Sequence, residues 1–488
     1  MKSGLIAFVL CSCALVFARG PKYAKPDVTV PENWQAPPPW QQAAPKDSIP
    51  KGSWWKLFQD ADLNQYEDRA MASNQTLQAS VARLAEARSF ARITASDLYP
   101  QLNGGASAQR ERLSGSRPLL GGTTAQLAPV TQSDFQIPFD LNYEVDLFGR
   151  VRNRVAAANA SYQASAADLE NVRLSISAEL AGDFFQLHEL DAEMEVVRKA
   201  IDFEHKGLDL VQNRHSGGAA SGLDVAQQQT VLDSTIAQLA LLQQQRDQFQ
   251  HAIAALQGLP ASSFTAPVRA LAVEPPAVPL VMPSELLERR PDIAAAERNV
   301  AAQNARIGVA RAAFYPNIPL VGSAGFDSRD ITRLLDAPSA FWSLGISALA
   351  PIFNGGRNRA TLANARASYD EDVANYREST LVAFQQVEDA LSALNALAAA
   401  FEAQSRAVQD ADRALNLANA RYSGGLVTYL DVITAQEQLL TSQRLATQIL
   451  GQRLTTDVVL VKALGGGWDS ASLSAIGVKP SLKQALQQ

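Results

Sequence analysis

Cysteine is nearly absent. The chain of 488 residues holds only Cys11 and Cys13, both inside one N-terminal apolar run. That count excludes a disulfide framework and a thiolate metal site from everything downstream. Histidine is scarce as well. His188, His205, His215 and His251 are scattered, and no second histidine follows four residues after His188-Glu189, which rules out a zinc-protease motif. No nucleophile elbow or phosphate-cradling loop occurs, so the chain reads as a non-enzyme without cofactor or metal. Charged residues make up 19% and aromatics 7%, with Ala and Gln filling the difference, a balance that favours long, closely packed helices over a bulky core. The net charge of −6 is accompanied by no basic patch, which excludes nucleic acid as a partner. Beyond the first run no stretch is apolar enough for a transmembrane helix.

That first run, Leu5 to Phe17 behind Lys2, reads as an export signal. Two processing sites compete. Leu10-Cys11-Ser12-Cys13 resembles a bacterial lipobox, which ends the signal at residue 12 and makes Cys13 a lipidated first residue. Val16-Phe17-Ala18 suits ordinary cleavage after residue 18. A retained anchor is a third reading, for which the run falls short of the ~20 residues a span needs. Residues 19–60 are Pro-rich and are expected to run extended along the body, anchored by Trp54, Trp55 and Phe58.

What the chain does have is a duplication. Arg421 to Val432 reads Arg-Tyr-Ser-Gly-Gly-Leu-Val-Thr-Tyr-Leu-Asp-Val, and Arg214 to Val225 reads Arg-His-Ser-Gly-Gly-Ala-Ala-Ser-Gly-Leu-Asp-Val, an offset of 207 (431 − 224). Gly217-Gly218 and Gly424-Gly425 each interrupt a helical pattern where the chain can turn. Asp224 and Asp431 then suit the start of the returning helix, as N-terminal charges favourable to its dipole. The spacing predicts two tandem repeats, at 61–260 and 284–465, joined by a Pro-rich linker at 261–283. A mobile tail is expected over 466–488.

Within each repeat the expected order is short helix, two strands, long helix, turn, returning helix. The helices fall at Leu63–Asp97, Gly149–Arg214, Leu223–Leu259, Ser284–Phe314, Arg357–Arg421 and Tyr429–Leu464. A helix of roughly 65 residues at ~1.5 Å each is ~98 Å long. Between Val373 and Leu415 apolar positions recur at alternating steps of three and four, a coiled-coil period, with Phe384, Leu391 and Ala398 as a second stripe. Two seams predict neighbours on two sides, as in a ring of helices.

Strands are expected at 101–113, 134–147, 318–326 and 341–352, with a loop at 114–132. The second of these is the clearest. Phe135, Ile137, Phe139, Leu141, Tyr143, Val145 and Leu147 alternate with polar residues and with Pro138, which lacks a ladder donor. Fourteen residues at ~3.3 Å span ~46 Å, long for a globular surface strand and suited to a membrane barrel. Four strands cannot close a barrel, because the smallest membrane barrels need about eight. Open edges are forbidden in lipid, so a barrel has to be shared between chains.

Pro283-Ser284-Glu285-Leu286-Leu287-Glu288-Arg289-Arg290-Pro291-Asp292-Ile293 resembles a hallmark of the TolC-like outer-membrane efflux proteins, in their OprM/NodT-like lipoprotein branch. Gly20-Pro21-Lys22-Tyr23, Trp54-Trp55, Tyr143-Glu144-Val145-Asp146-Leu147-Phe148-Gly149 and Pro351-Ile352-Phe353 are similar to the same branch. The resemblance implies a mainly α fold with membrane β, in which three chains share a 12-stranded β-barrel and a 12-helix α-barrel. It also implies a passive exit duct in the outer membrane with a periplasmic extension. The implied partners are outer-membrane lipid, a periplasmic adaptor at the hairpin tips (Gly217, Gly218, Gly424, Gly425) and an inner-membrane resistance-nodulation-division transporter. By the same resemblance Asp431 lines a closed periplasmic gate that Tyr422 and Asp224 hold shut. Val427 stands where some members carry a latching arginine, and Thr434 where some carry a second acid. Branch members place the lipidated cysteine a few residues before Gly-Pro, near Phe17 here, whereas Cys13 lies further upstream. A duct for type I protein secretion is an alternative within this class. A periplasmic coiled-coil scaffold is the alternative of another class, and it has no use for a two-faced strand.

Overall fold

The computed structural model describes residues 21–32, 34, 52–115, 128–269, 271, 276 and 283–478. The export signal and Cys13 lie outside them, as does most of the expected loop at 114–132. The long helix α3 (Arg150–Ser216) returns as α4 (Gly222–Leu256), and α7 (Arg357–Ser423) returns as α8 (Tyr429–Ala463). α3 and α7 have 67 residues each, or ~100 Å. α4 and α8 have 35 each. The four ends of the second pair are those of the first displaced by 207, the offset of the repeated Gly-Gly segments. No helix among the described residues is long and apolar enough to cross a membrane.

Two expected helices are each broken in two. Leu63–Asp97 becomes α1 (Ala61–Ser73) and α2 (Gln75–Ser96). Asn74 between them is extended, with its side-chain oxygen accepting from Leu77 N at 2.9 Å and its amide donating to Leu256 O at 2.8 Å. An Asn that finds such partners ends one helix and caps the next. Ser284–Phe314 becomes α5 (Pro283–Arg289) and α6 (Pro291–Ala312), because Pro291 holds Arg290 extended. The side chain of Arg290 pairs with Asp292 at 2.6 Å and donates to Ala463 O at 3.0 Å, which ties this joint to the end of α8.

The strands are β1 (Gln101–Gly104), β2 (Ser107–Leu113), β3 (Val130–Glu144), β4 (Pro319–Ser328) and β5 (Ala340–Ile346). They form one antiparallel sheet in the order β1-β3-β4-β5, with β2 also on β3. β1 and β2 lie along β3 in one register, Gln101 opposite Asn142 and Ser107 opposite Gln136. They are two parts of a single lane that breaks opposite Pro138. Pro138 accepts from Gly105 N at 3.0 Å but has no N–H to return. β5 was expected to reach residue 352 and stops at Ile346 for the same reason. Ser347 N donates to Pro319 O, Pro319 returns nothing, and pairing resumes at Asn317–Leu349 in unchanged register. β3 starts at Val130, inside the expected loop, because β2 continues far enough to pair Leu113 with Val130.

Register sorts the sheet into two faces. Leu102, Phe139, Leu141, Gly322, Ala324, Trp342 and Leu344 share one face through the pairs Leu102–Leu141, Phe139–Ala324, Leu141–Gly322, Ala324–Trp342 and Gly322–Leu344. Asn103, Asp140, Asn142, Ser323 and Ser343 share the other. The apolar face is bare: Trp342 is 80% exposed, Leu102 69% and Leu344 65%.

The main core sits where the N-terminal segment, α1, α3, α6, α7 and α8 meet, around Trp54, Phe184, Phe185, Ile293 and Leu391. Trp54, Trp55 and Phe58 are buried there, as anchors. The extended segment ahead of them lies on α6, where Asn304 donates to Pro21 O at 2.9 Å, and the Tyr23 hydroxyl bonds Glu297. The coiled-coil stripe of α7 is buried at Tyr376, Thr380, Ala383, Val387, Ala390, Leu394, Ala411 and Leu415. Phe384 of the second stripe meets Trp34 edge-on at 6.0 Å. The chain beyond Gly465-Gly466-Gly467 is docked through residue 478, contrary to the expected mobile tail. Leu473 is buried among Ala166, Ala167, Ala294 and Ala295. Asn159 and Gln163 of α3 bond Val478 and Ile476.

Candidate functional site

The two hairpin tips carry the residues singled out from the sequence, and they are built alike. At the first, Gly217 has φ −80° and Gly218 φ +75°. Gly218 N donates to His215 O at 2.9 Å and Ala219 N to Arg214 O at 2.7 Å. The second repeats this with Gly424 at φ −81° and Gly425 at φ +70°, Gly425 N to Tyr422 O at 3.0 Å and Leu426 N to Arg421 O at 2.9 Å. This paired bonding is a Schellman motif. Only the second glycine of each pair sits in the left-handed region; the first has an ordinary backbone. All four glycines are exposed.

The two aspartates start the returning helices. Asp224 Oδ2 accepts from Ser221 N at 2.8 Å and from Ser221 Oγ at 2.9 Å, closing a capping box. Asp431 Oδ2 accepts from Thr428 Oγ1 at 2.6 Å and from Thr428 N at 3.0 Å. The Thr428 hydroxyl, ahead of the backbone donors, holds the exposed Asp431 carboxyl below its ordinary pKa, so it carries its charge at neutral pH. Both carboxylates thus act as helix-terminal charges.

Tyr422 points into the hairpin packing. Its ring is buried, 4.5 Å beneath the Arg214 guanidinium and 5.0 Å from the Tyr429 ring. Within the chain Asp224 bonds Ser221, not Tyr422. Val427 packs into the apolar cluster of Val211, Leu415, Tyr429, Val432 and Ile433.

The structure adds Tyr429 and Gln228, which sequence reading passed over. Tyr429 opens α8 and is buried, and its hydroxyl donates to Gln228 Oε1 at 3.0 Å. Gln228 is fully buried on α4 and donates onward to Glu204 O of α3 at 2.9 Å. Burial pushes the Tyr429 phenol up to about 12, so it remains a neutral donor. The legible signal was asymmetry between the copies, since the position equivalent to Tyr429 in the first tip is Gly222.

The outer membrane efflux protein family profile matches residues 67–259 and 282–466. The pyoverdine export outer membrane protein OpmQ of Pseudomonas aeruginosa is 33% identical over 465 residues, covering 95% of this chain and 97% of that protein. The outer membrane protein OprJ of the same organism is 32% identical over 472 residues, covering 95% of each. The solved outer-membrane channel OprN superposes with a TM-score of 0.86 at 29% identity, over 92% of this chain and 99% of that one. With helices of matching length, a two-faced sheet and these relatives along nearly its whole length, the chain belongs to the outer membrane efflux protein family, as an outer-membrane component of an efflux system.

Proposed function

We propose that the chain is one third of a passive exit duct. Three copies, each built from two tandem repeats, would close a 12-stranded barrel in the outer membrane above a 12-helix tube. The observation carrying this is the sheet: four lanes with one bare apolar face and, among the described residues, two unpaired edges, at β1/β2 and β5. Such edges have no place in lipid unless another chain pairs with them. The ~100 Å helices would then cross the periplasm and present the tips to a periplasmic adaptor and a resistance-nodulation-division transporter. Native mass spectrometry in detergent tests the assembly. A trimer is expected, and a monodisperse monomer that stays soluble without detergent overturns it.

At the tips, Asp431 from each copy would converge on the narrowest part of the duct. Close carboxylates stay coupled within the ~8 Å screening length of physiological salt and favour cations. Tyr422 and Asp224 would stiffen the same constriction, and Gly217, Gly218, Gly424 and Gly425 would touch the adaptor. Asp431→Ala is expected to weaken cation selectivity and block by trivalent cations in planar bilayers; unchanged values remove it from the constriction. Cys13 would be the lipid attachment point. Mass spectrometry of the mature N-terminus decides this, and a free terminus at Arg19 rules it out.

A further inference from the structure

At the tips the two hairpins of one chain are joined by a run of contacts that starts and ends on α3. Arg214, ending α3, lies over Tyr422 of α7. Tyr422 packs on Tyr429 of α8. Tyr429 donates to Gln228 of α4, and Gln228 donates back to Glu204 of α3. The run leaves the first hairpin, crosses the second and returns.

Its polar step is buried and specific. Gln228 is fully buried, and both ends of its amide are used. The phenol has room to reach it because residue 207 is glycine. A Cβ there would stand 2.6 Å from the Tyr429 hydroxyl oxygen and 3.3 Å from Gln228 Nε2. Gly207 lies inside α3 with no left-handed backbone demand, so its small size matters only for this contact. Farther along α8, Arg444 reaches Glu193 at 2.6 Å and Gln238 at 3.1 Å. From 429 to 444 is ~22 Å along a helix. Between them the hairpins also meet through the apolar cluster of Val211, Val432 and Ile433, to which the Tyr429–Gln228 bond adds a directional polar tie.

We propose that Tyr429 is a positioning residue of the duct's narrow end: seated over Gly207 and bonded to Gln228, it clasps the second hairpin onto the first within one protomer and holds the tips in their closed arrangement. This rests on the reading above that the tips form the constriction. Separating the hairpins takes the Tyr429 donor away from a buried amide oxygen, which makes the clasp costly to open.

Two variants of the full-length protein test it. Tyr429→Phe removes the donor and keeps the ring. Gly207→Ala keeps every donor and acceptor but pushes the phenol off Gln228, while alanine strengthens the helix itself. Both should raise single-channel conductance in planar bilayers, on the order of fivefold to tenfold for one lost buried hydrogen bond. Spin labels on the exposed Ser216 and Ser423 should show a longer, broader distance between the two tips in both variants. A variant that melts lower but keeps wild-type conductance and tip distance shows a packing role only and overturns the proposal. Wild-type behaviour of Gly207→Ala in both readouts overturns it as well. If the wild type does not conduct but the labels move apart in both variants, the clasp stands and the duct reading fails.

Discussion

Single residues at the turns and in the buried helix faces decide what the chain tolerates. Gly425 holds φ +70° and Gly424 does not, so the pair is chemically uniform but energetically unequal. Gly425→Ala is expected to cost ~1–2 kcal/mol from left-handed strain. Gly424→Ala meets only ordinary contacts, at 3.6 Å, and is expected to stabilise by ~0.4–1 kcal/mol by restricting the unfolded chain. Opposite shifts in melting temperature check this. The same contrast is expected between Gly218 and Gly217. Farther along, burial pushes Glu189, with Glu193 beside it, up to about 7, and burial alone does the same to Asp457. Each folded carboxyl keeps its proton where the unfolded one, titrating near ~4, has lost it. Stability should therefore fall as pH rises from about 4 to about 7 and level off above that. Thermal melts across this range should show that slope, and Glu189→Gln combined with Asp457→Asn should make it shallower, leaving the share of Asp183, which burial raises to about 6.

Among the elements, the sheet is governed by close backbone approach. Gly325 faces Pro138 across β3 and β4, and a Cβ on it would lie 2.0 Å from Ile137 O and 3.0 Å from Pro138 Cα. Backbone atoms cannot swing aside as a side-chain tip can. Gly325→Ala is expected to prevent assembly in the outer membrane, read as loss of the heat-sensitive oligomer on gels, while Gly345→Ala, with open space around it, should assemble normally. The alternation of apolar and polar residues was readable in the sequence because side chains along a strand point to opposite faces. The two prolines that interrupt the ladders were visible too. Which strand each would interrupt was not, because that depends on partners far away in the chain, Gly105 for Pro138 and Ser347 for Pro319. The break at Asn74 has a related cause, whereas the one at Arg290 follows from its neighbour Pro291 and was legible locally. Asn74 leaves the helix in part because Leu256 O, distant in sequence, accepts from it.

For the molecule as a whole, the bare apolar face sets where it resides. Trp342 is 80% exposed on that face, whereas Trp54 is buried in the core and bonded to Ser177 at 2.9 Å. In liposomes made with brominated lipid, Trp342 fluorescence should be quenched and Trp54 fluorescence spared. The quenchable fraction should disappear in Trp342→Phe, and its persistence would place Trp342 away from lipid. In the proposed barrel the polar face, with Asp140 and Asn142, would face the water-filled interior.

The sequence by itself determined what depends on local spacing: the length of the helices, the turns between them, the two faces of the strands and the 207-residue offset. Each follows from a period of 3.6, 3.5 or two, or from glycine's freedom at positive φ. Only the tertiary structure decided which distant groups meet. It turned Tyr422 inward beneath Arg214, set Tyr429 against Gln228, and docked the segment after Gly467 on α3. Such contacts join residues hundreds of positions apart through packing, and no local period encodes them.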